Sequence, residues 1–129
     1  MPGQRLVDAA VLRYGRSTMT DTADVIIIYC TVPDTATGER IAQRLVEYRL
    51  AACVNLLPGA TSVYRWKGRV EKETESLLMI KAPAADYKSV EAAIRSQHPY
   101  ELPEIIAVPV SNGLAEYLDW VRNIQNEAP

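Results

Sequence analysis

Hydrophobic positions along the chain follow two different periods, and each period predicts a different kind of element. Val25–Val32 is apolar and β-branched at odd and even positions alike, which is typical of a strand buried on both faces. Between Thr37 and Ala51 apolar residues recur at helical spacing and charged residues fill the other positions, which predicts an amphipathic helix. Asp34 lies just before this helix and is its expected N-cap.

A long β-hairpin is predicted in the middle of the chain. Residues 52–57 begin a second strand, which Pro58-Gly59 should break or bulge. Residues 61–66 and 70–80 then form two extended segments, joined by a turn at Lys67-Gly68. The hairpin is polar on both faces near its tip and apolar at its base, so we expect it to project from the domain.

The second half of the chain completes a known order of elements. A helix is predicted from just after Pro83 to about Ser96, a strand at Ile105–Val110, and a last helix with Asn112 as its N-cap. The order is strand, helix, strand, strand, helix, strand, helix. This is the split βαβ plan of the ferredoxin-like α+β fold, with an extra C-terminal helix.

The predicted sheet is apolar on both of its faces. In this plan the helices cover one face of an antiparallel sheet, and the other face normally carries polar residues. Here Val25–Val32, Leu77–Ile80 and Ile105–Val110 are apolar at every position or nearly so. The second face therefore needs a cover, and in so short a chain we expect that cover to be another copy of the same protein.

Composition excludes several classes of function. The chain has 129 residues, of which 48% are hydrophobic and 23% charged, which indicates one globular domain. A net charge of -2 argues against nucleic acid as the main partner, and no apolar run reaches the length of about 18 residues that a membrane span needs. Cys30 and Cys53 form no CxxC motif, which favours reduced thiols and a cytoplasmic location.

The start of the chain differs from the remainder. Residues 1–20 contain three arginines and a single acid, Asp8, and show no sustained period. We interpret residues 1–22 as a disordered or misassigned extension, with a targeting peptide as the alternative, and residues 23–127 as the folded domain.

The segment Ser96–Glu104 is the candidate functional site. It contains His98, the only histidine of the chain, directly before Pro99. Because a proline disfavours helical dihedral angles in the residue before it, the helix must end here and the chain must cross to the next strand in an extended form. A rigid loop between a helix and a buried strand is where a fold tends to hold polar groups in fixed positions.

Four segments in the same order resemble the CutA family of divalent-cation tolerance proteins. They are Val25–Asp34, Leu50–Asn55, Pro58–Gly68 and His98–Glu104, and the resemblance runs from about Asp24 to Asn126. The resemblance implies a ferredoxin-like subunit in a tight homotrimer built like the PII signalling proteins. It also implies a connection with copper and other divalent metals.

In the family that the chain resembles, metal binding is assigned to a cysteine in the first strand and to two histidines before a Pro-Tyr pair. Cys30 matches the first position and His98 the second histidine, whereas Gln97 replaces the first. A thiolate and an imidazole suit copper or zinc, and symmetric copies or Glu101 and Glu104 could add ligands. Cys30 and His98 are therefore the predicted metal ligands. The alternatives are a cysteine that only packs in the core and a histidine that satisfies a loop carbonyl.

Two further classes of function fit part of the pattern. A catalytic pair of Cys30 and His98, oriented by Glu104, lacks a motif for an oxyanion hole and has a buried thiol, so we predict no catalytic residues and no enzymatic activity. The other class is a PII-like small-ligand sensor or a trimeric scaffold.

A sensor needs a cleft, and its expected lining combines aromatic and polar side chains. These are Tyr64, Trp66, Lys67, Tyr100 and Glu104. For Tyr64 and Trp66 the alternative is cross-strand packing between subunits. For Glu71, Glu73 and Glu75 we expect a solvated hairpin face rather than a metal site.

Overall fold

A four-stranded antiparallel sheet is the centre of the computed structural model, which describes residues 24–127. The strands are β1 (Val25–Val32), β2 (Cys53–Trp66), β3 (Arg69–Pro83) and β4 (Ile105–Pro109), in the spatial order β2-β3-β1-β4. The helices are α1 (Thr35–Glu47), α2 (Tyr87–Gln97) and α3 (Ala115–Arg122), with 3-10 turns at Ala84–Asp86 and Ile124–Asn126. This is the predicted ferredoxin-like α+β fold with its extra C-terminal helix. The interpretation of residues 1–22 lies outside the described residues.

The main core lies between one face of the sheet and the helices α1 and α2. In β1 alternate side chains are almost fully buried, because residues two apart on a strand share a face. Ile28 is 0% exposed and lies in one cluster with Leu45 of α1 and Ile94 of α2, both also fully buried. No helix among residues 24–127 is long and apolar enough to cross a membrane.

The ends of the helices confirm one predicted cap and correct another. The Asp34 carboxylate accepts a hydrogen bond of 2.8 Å from the Thr37 amide, and this bond lowers the pKa of Asp34, so the predicted cap of α1 is confirmed. The prediction that Asn112 caps the last helix is wrong. Residues 110–114 form no helix, Leu114 is extended, and α3 begins only at Ala115 without a side-chain cap, so Asn112 lies too far upstream.

The hairpin is longer and more continuous than predicted. β2 runs through Pro58-Gly59 without ending, and its register against β3 shifts between Leu57 and Ala60, which is the predicted bulge. At the tip, Lys67 and Gly68 both have positive φ angles, of 52° and 81°. This backbone conformation matches the right-handed twist of the two strands and closes the hairpin with a two-residue loop.

The second face of the sheet is covered at one end only. Val25 and Ala52 are buried there beneath Val121 of α3 and Ile124. Further along the same face, Val108 remains 40% exposed. The apolar second face predicted from the sequence is therefore present, but the chain's own C-terminal helix covers part of it.

Replacement of a core side chain in the inner strand should show how much the fold depends on this layer. We expect Ile28→Ala to lower the free energy of unfolding by about 3 kcal/mol, because it leaves a cavity where α1 and α2 meet the sheet. Urea denaturation measures the change. Val46→Ala is the control, since Val46 is 41% exposed on α1, and its effect should stay below about 0.5 kcal/mol. Equal losses in both variants would contradict this assignment of the core.

Candidate functional site

The backbone carbonyl of Thr31 fixes the candidate loop to the central strand. Alternate carbonyls of β1 point toward β4, as shown by the Val110 amide, which donates to the carbonyl of Val25 over 3.0 Å. Pairing with β4 ends at Ile105, so the Thr31 carbonyl lies one position beyond the ladder. Nε2 of His98 lies 2.7 Å from it. The imidazole therefore takes the place of the missing strand amide.

The second ring nitrogen of His98 is also occupied. The Tyr100 amide donates a hydrogen bond of 3.1 Å to Nδ1, so Nδ1 carries no proton. Nε2 must then carry the proton and donate it to Thr31. His98 is only 9% exposed. In this structure the histidine thus bonds to a backbone carbonyl, and that carbonyl belongs to strand β1 rather than to a loop.

Cys30 meets the same carbonyl from inside the core. Its side chain is 0% exposed, and the thiol donates to the Thr31 carbonyl over 3.7 Å. Burial, followed by the negative charges of Glu104 and Glu75, raises the pKa of Cys30 to about 12. The thiol is therefore neutral at physiological pH, whereas both metal ligation and nucleophilic attack require the thiolate.

The two predicted metal ligands thus converge on a carbonyl oxygen. Among residues 24–127 no group of three or more His, Cys, Asp and Glu side chains is placed to hold a metal ion. In this arrangement Cys30 and His98 do not fit a metal ion, and their ligation stays a prediction that requires His98 to leave Thr31. Gln97, at the position of the other expected histidine, has a buried Nε2 without a hydrogen-bond partner.

A cleft of about 1000 Å³ opens on the second face of the sheet, between the hairpin and the loop that His98 anchors. Four of the five residues predicted to line a ligand cleft do so, namely Tyr64, Trp66, Tyr100 and Glu104. Lys67 is not part of the lining. Its Nζ lies 5.7 Å from the centre of the Trp66 ring, at the tip of the hairpin.

Glu75 corrects the expectation of a solvated glutamate face on the hairpin. Glu73 is exposed and Glu71 half-buried, but Glu75 is only 6% exposed. Its carboxylate accepts a hydrogen bond of 2.7 Å from the Tyr100 hydroxyl. The alternation of side chains along the strand predicts that Glu75 lies on the second face. Its contact with Tyr100 depends on the fold and has no local signal in the sequence.

The cleft carries strong negative charge. Its lining contains five glutamates and a single basic residue, Arg65. The glutamates are Glu71, Glu73, Glu75, Glu101 and Glu104. Burial and then the hydrogen bond to Glu75 raise the pKa of Tyr100, so its hydroxyl remains a neutral donor. Sequence reasoning had named only one of these carboxylates as part of a cleft.

Comparison with known proteins gives a consistent result. The family model described as CutA1 divalent ion tolerance protein matches residues 26–124. The divalent-cation tolerance protein CutA of Pectobacterium atrosepticum is 44% identical over 98 residues, which cover 76% of this chain and 89% of that protein. The crystal structure of CutA from Xylella fastidiosa superposes with a TM-score of 0.76 at 48% identity, covering 78% of this chain and 97% of that one.

A plant relative is matched over part of its length only. The chloroplastic CutA protein of Arabidopsis thaliana is 39% identical over 102 residues, which cover 79% of this chain but 56% of the plant protein. Residues 26–124, which the family model matches, contain the four strands, the three helices and the loop described above almost completely.

The thiols should differ sharply in reactivity. Cys30 has a pKa of about 12 and no exposed surface, so we expect it to resist an aromatic disulfide reagent at pH 8. The half-buried Cys53 should react. The absorbance of released thiolate should then report one thiol per folded chain. Cys53→Ser should abolish this signal and Cys30→Ser should leave it unchanged. Rapid modification of Cys30 in the folded protein would contradict the buried, neutral thiol.

Proposed function

Because the chain belongs to the CutA1 divalent ion tolerance family, we propose that it acts as a homotrimer in the tolerance of cells to divalent metal ions, copper among them. The proposed location is the cytoplasm, where both thiols stay reduced. The proposed protein acts by assembling and by binding an ion or a small ligand, and not by catalysis. The buried, neutral Cys30 supports this, since it lacks the thiolate that a nucleophile needs.

The open apolar face of the sheet is the observation that carries the proposed assembly. Ile106 and Val108 of the edge strand β4 are 54% and 40% exposed, and both share this face with the partly buried Tyr29. Leu57, on the strand at the other edge, is 45% exposed on the same face. An apolar surface that spans a whole sheet is costly to leave in water, and closed symmetry lets copies of one chain cover it.

A second candidate function, a sensor of a small ligand, is favoured by the cleft. The cleft opens at one end of the same face and shares Ile106 with the exposed apolar surface. Its volume of about 1000 Å³ is at the upper end of ordinary ligand pockets. Its aromatic and carboxylate side chains offer both contact area and charge. In this second proposal, the assembled protein binds a small ligand in the cleft and signals its presence to partner molecules.

A charge on the apolar face should separate assembly from folding. We expect Val108→Glu to convert a particle of three chains, each of 14.3 kDa, into single chains, because the interface would bury an unpaired carboxylate. Light scattering after gel filtration measures the mass. A bacterial strain that lacks its own family member should lose growth at raised copper with Val108→Glu and keep it with the unchanged chain.

Val46→Glu is the matched control for this experiment. Val46 is 41% exposed, close to the 40% of Val108, but it lies on α1 rather than on the sheet. The control should remain trimeric and support growth. A trimeric Val108→Glu variant would contradict the proposed interface, and copper tolerance in a monomeric variant would contradict the link between assembly and function.

Metal titration should show whether the ion is held at Cys30 and His98. We expect calorimetry with zinc, which does not oxidise thiols, and with copper under anaerobic conditions to give no tight site at Cys30 and His98. The reason is that a metal would have to displace two hydrogen bonds of His98 and a thiol proton. The isotherms of Cys30→Ala and His98→Ala should match that of the unchanged protein. Saturable binding that both variants lose would contradict this expectation and establish the predicted pair as ligands.

A further inference from the structure

We infer that a groove between α1 and the end of α2 binds a phosphate group, carried either by inorganic phosphate or by a small phosphorylated metabolite. The groove belongs to the helical layer, on the opposite side of the sheet from the cleft and from the proposed interface. The site therefore goes beyond both functions proposed above. Three features carry the inference: a pair of arginines, a buried amide without an acceptor, and the size of the groove.

The two arginines of the groove lie side by side on α1. Arg40 and Arg44 are four residues apart, so they are neighbours on the helix surface, and both line the groove. Like charges at this spacing destabilise a helix slightly. Among residues 24–127 the ion pairs within 4.0 Å are those of Arg122 with Asp24 and Asp119, so neither groove arginine is paired with a described carboxylate. An anion bound in the groove would relieve this repulsion.

The recorded contacts of both guanidinium groups are with neutral groups. Arg40 donates to the Thr37 hydroxyl over 3.3 Å, and the guanidinium carbon of Arg44 lies 5.0 Å from the centre of the Tyr48 ring. Both contacts orient an arginine without neutralising it. Glu47 is the acid of the lining, and its carboxylate accepts a hydrogen bond of 3.1 Å from a side-chain amide of the same helix. The arginines therefore keep N–H donors for a ligand.

Gln97, the last residue of α2, forms the other wall of the groove. Its Nε2 is buried and has no hydrogen-bond partner in the described part of the chain. Such a donor costs free energy, because its bonds with water are lost and not replaced. The arginines across the groove are long and exposed, so they can shift to admit an acceptor. A ligand oxygen between the two helices would then satisfy the amide.

The size and the donors of the groove favour a phosphate group. Its volume is about 230 Å³, below the roughly 300 Å³ at which ordinary ligand pockets begin, so it suits a compact ligand. Guanidinium groups match phosphate oxygens with two parallel hydrogen bonds. A phosphate group has at least three strong acceptor oxygens, enough to meet both arginines and the Gln97 amide together, whereas a carboxylate has two.

Calorimetry with inorganic phosphate and with glycerol 3-phosphate tests the inference on the full-length assembled protein, at neutral pH and low salt. We expect one saturable site per chain. Arg44→Gln should weaken binding about tenfold, because it removes a charged donor from the groove. Arg95→Gln removes the same charge from an exposed position of α2 outside the groove, and should change the affinity less than about twofold. Equal losses in the two variants overturn the inference.

The two ligands distinguish the sources of the phosphate group. Saturable binding of inorganic phosphate assigns the site to the free ion, and binding of glycerol 3-phosphate alone assigns it to a phosphorylated metabolite. Binding of neither overturns the inference. Sodium chloride at equal ionic strength should not displace the ligand. Complete displacement would mean that the arginines attract anions without selection, which also overturns it.

The buried amide has its own variant. Gln97→Met nearly keeps the length of the side chain and removes the donor, so we expect about fivefold weaker binding. Without ligand this variant should melt at the same temperature as the unchanged protein or higher, because no satisfied hydrogen bond of Nε2 is lost. A lower melting temperature with unchanged affinity would mean that Gln97 is only structural, which overturns the inference. If Arg44→Gln does not fold, Arg40→Gln replaces it with the same expected loss.

Discussion

The hydrogen bond from His98 to the Thr31 carbonyl is the contact on which the candidate site depends. Strand β4 begins at Ile105, one position too late to pair with Thr31, so the Thr31 carbonyl lies outside the sheet ladder. The imidazole supplies the hydrogen-bond donor at 2.7 Å. The same ring accepts the Tyr100 amide, which fixes the tautomer and the course of the loop. Tyr100 then reaches Glu75 on β3. His98 therefore links the end of α2 to β1, and Tyr100, which His98 positions, links the loop to β3. Together they hold one wall of the cleft against the sheet.

The second face of the sheet is divided into three regions with different chemistry. At one end α3 buries Val25 and Ala52 under its own apolar side chains. The middle of the face is apolar and exposed at Val108, and in the proposed trimer other copies of the chain cover it. At the far end the hairpin and the loop enclose the acidic cleft. In the proposed trimer, a ligand in the cleft would therefore lie next to the interface between copies.

The sequence predicted the fold well because period and capping are local properties. The strand β1, the Asp34 cap, the bulge after Leu57 and the turn at Lys67 each depend on nearby residues, and each was found where expected. Burial of β1 on both faces was not, because Ile27, Tyr29 and Thr31 on the second face are only partly buried. The cleft was predicted only in part. Glu75 was predicted to be one of several solvated charges on the hairpin. Its partner Tyr100 is 25 residues away in the chain, so only the fold brings the two together. The hydrogen bond between His98 and the Thr31 carbonyl was not predicted for the same reason, since the two residues are 67 positions apart in the chain. Contacts of this range depend on sheet register, which periodicity does not determine.

Membership of a divalent ion tolerance family does not by itself place a metal at the residues that match a metal motif. The carboxylates that would draw a cation toward the site also disfavour the thiolate of Cys30, because negative charge adjacent to a buried thiol raises its pKa further. What selects a cation is then geometry rather than charge. A metal ion needs several ligands around one point, and those on the two walls of the cleft are separated.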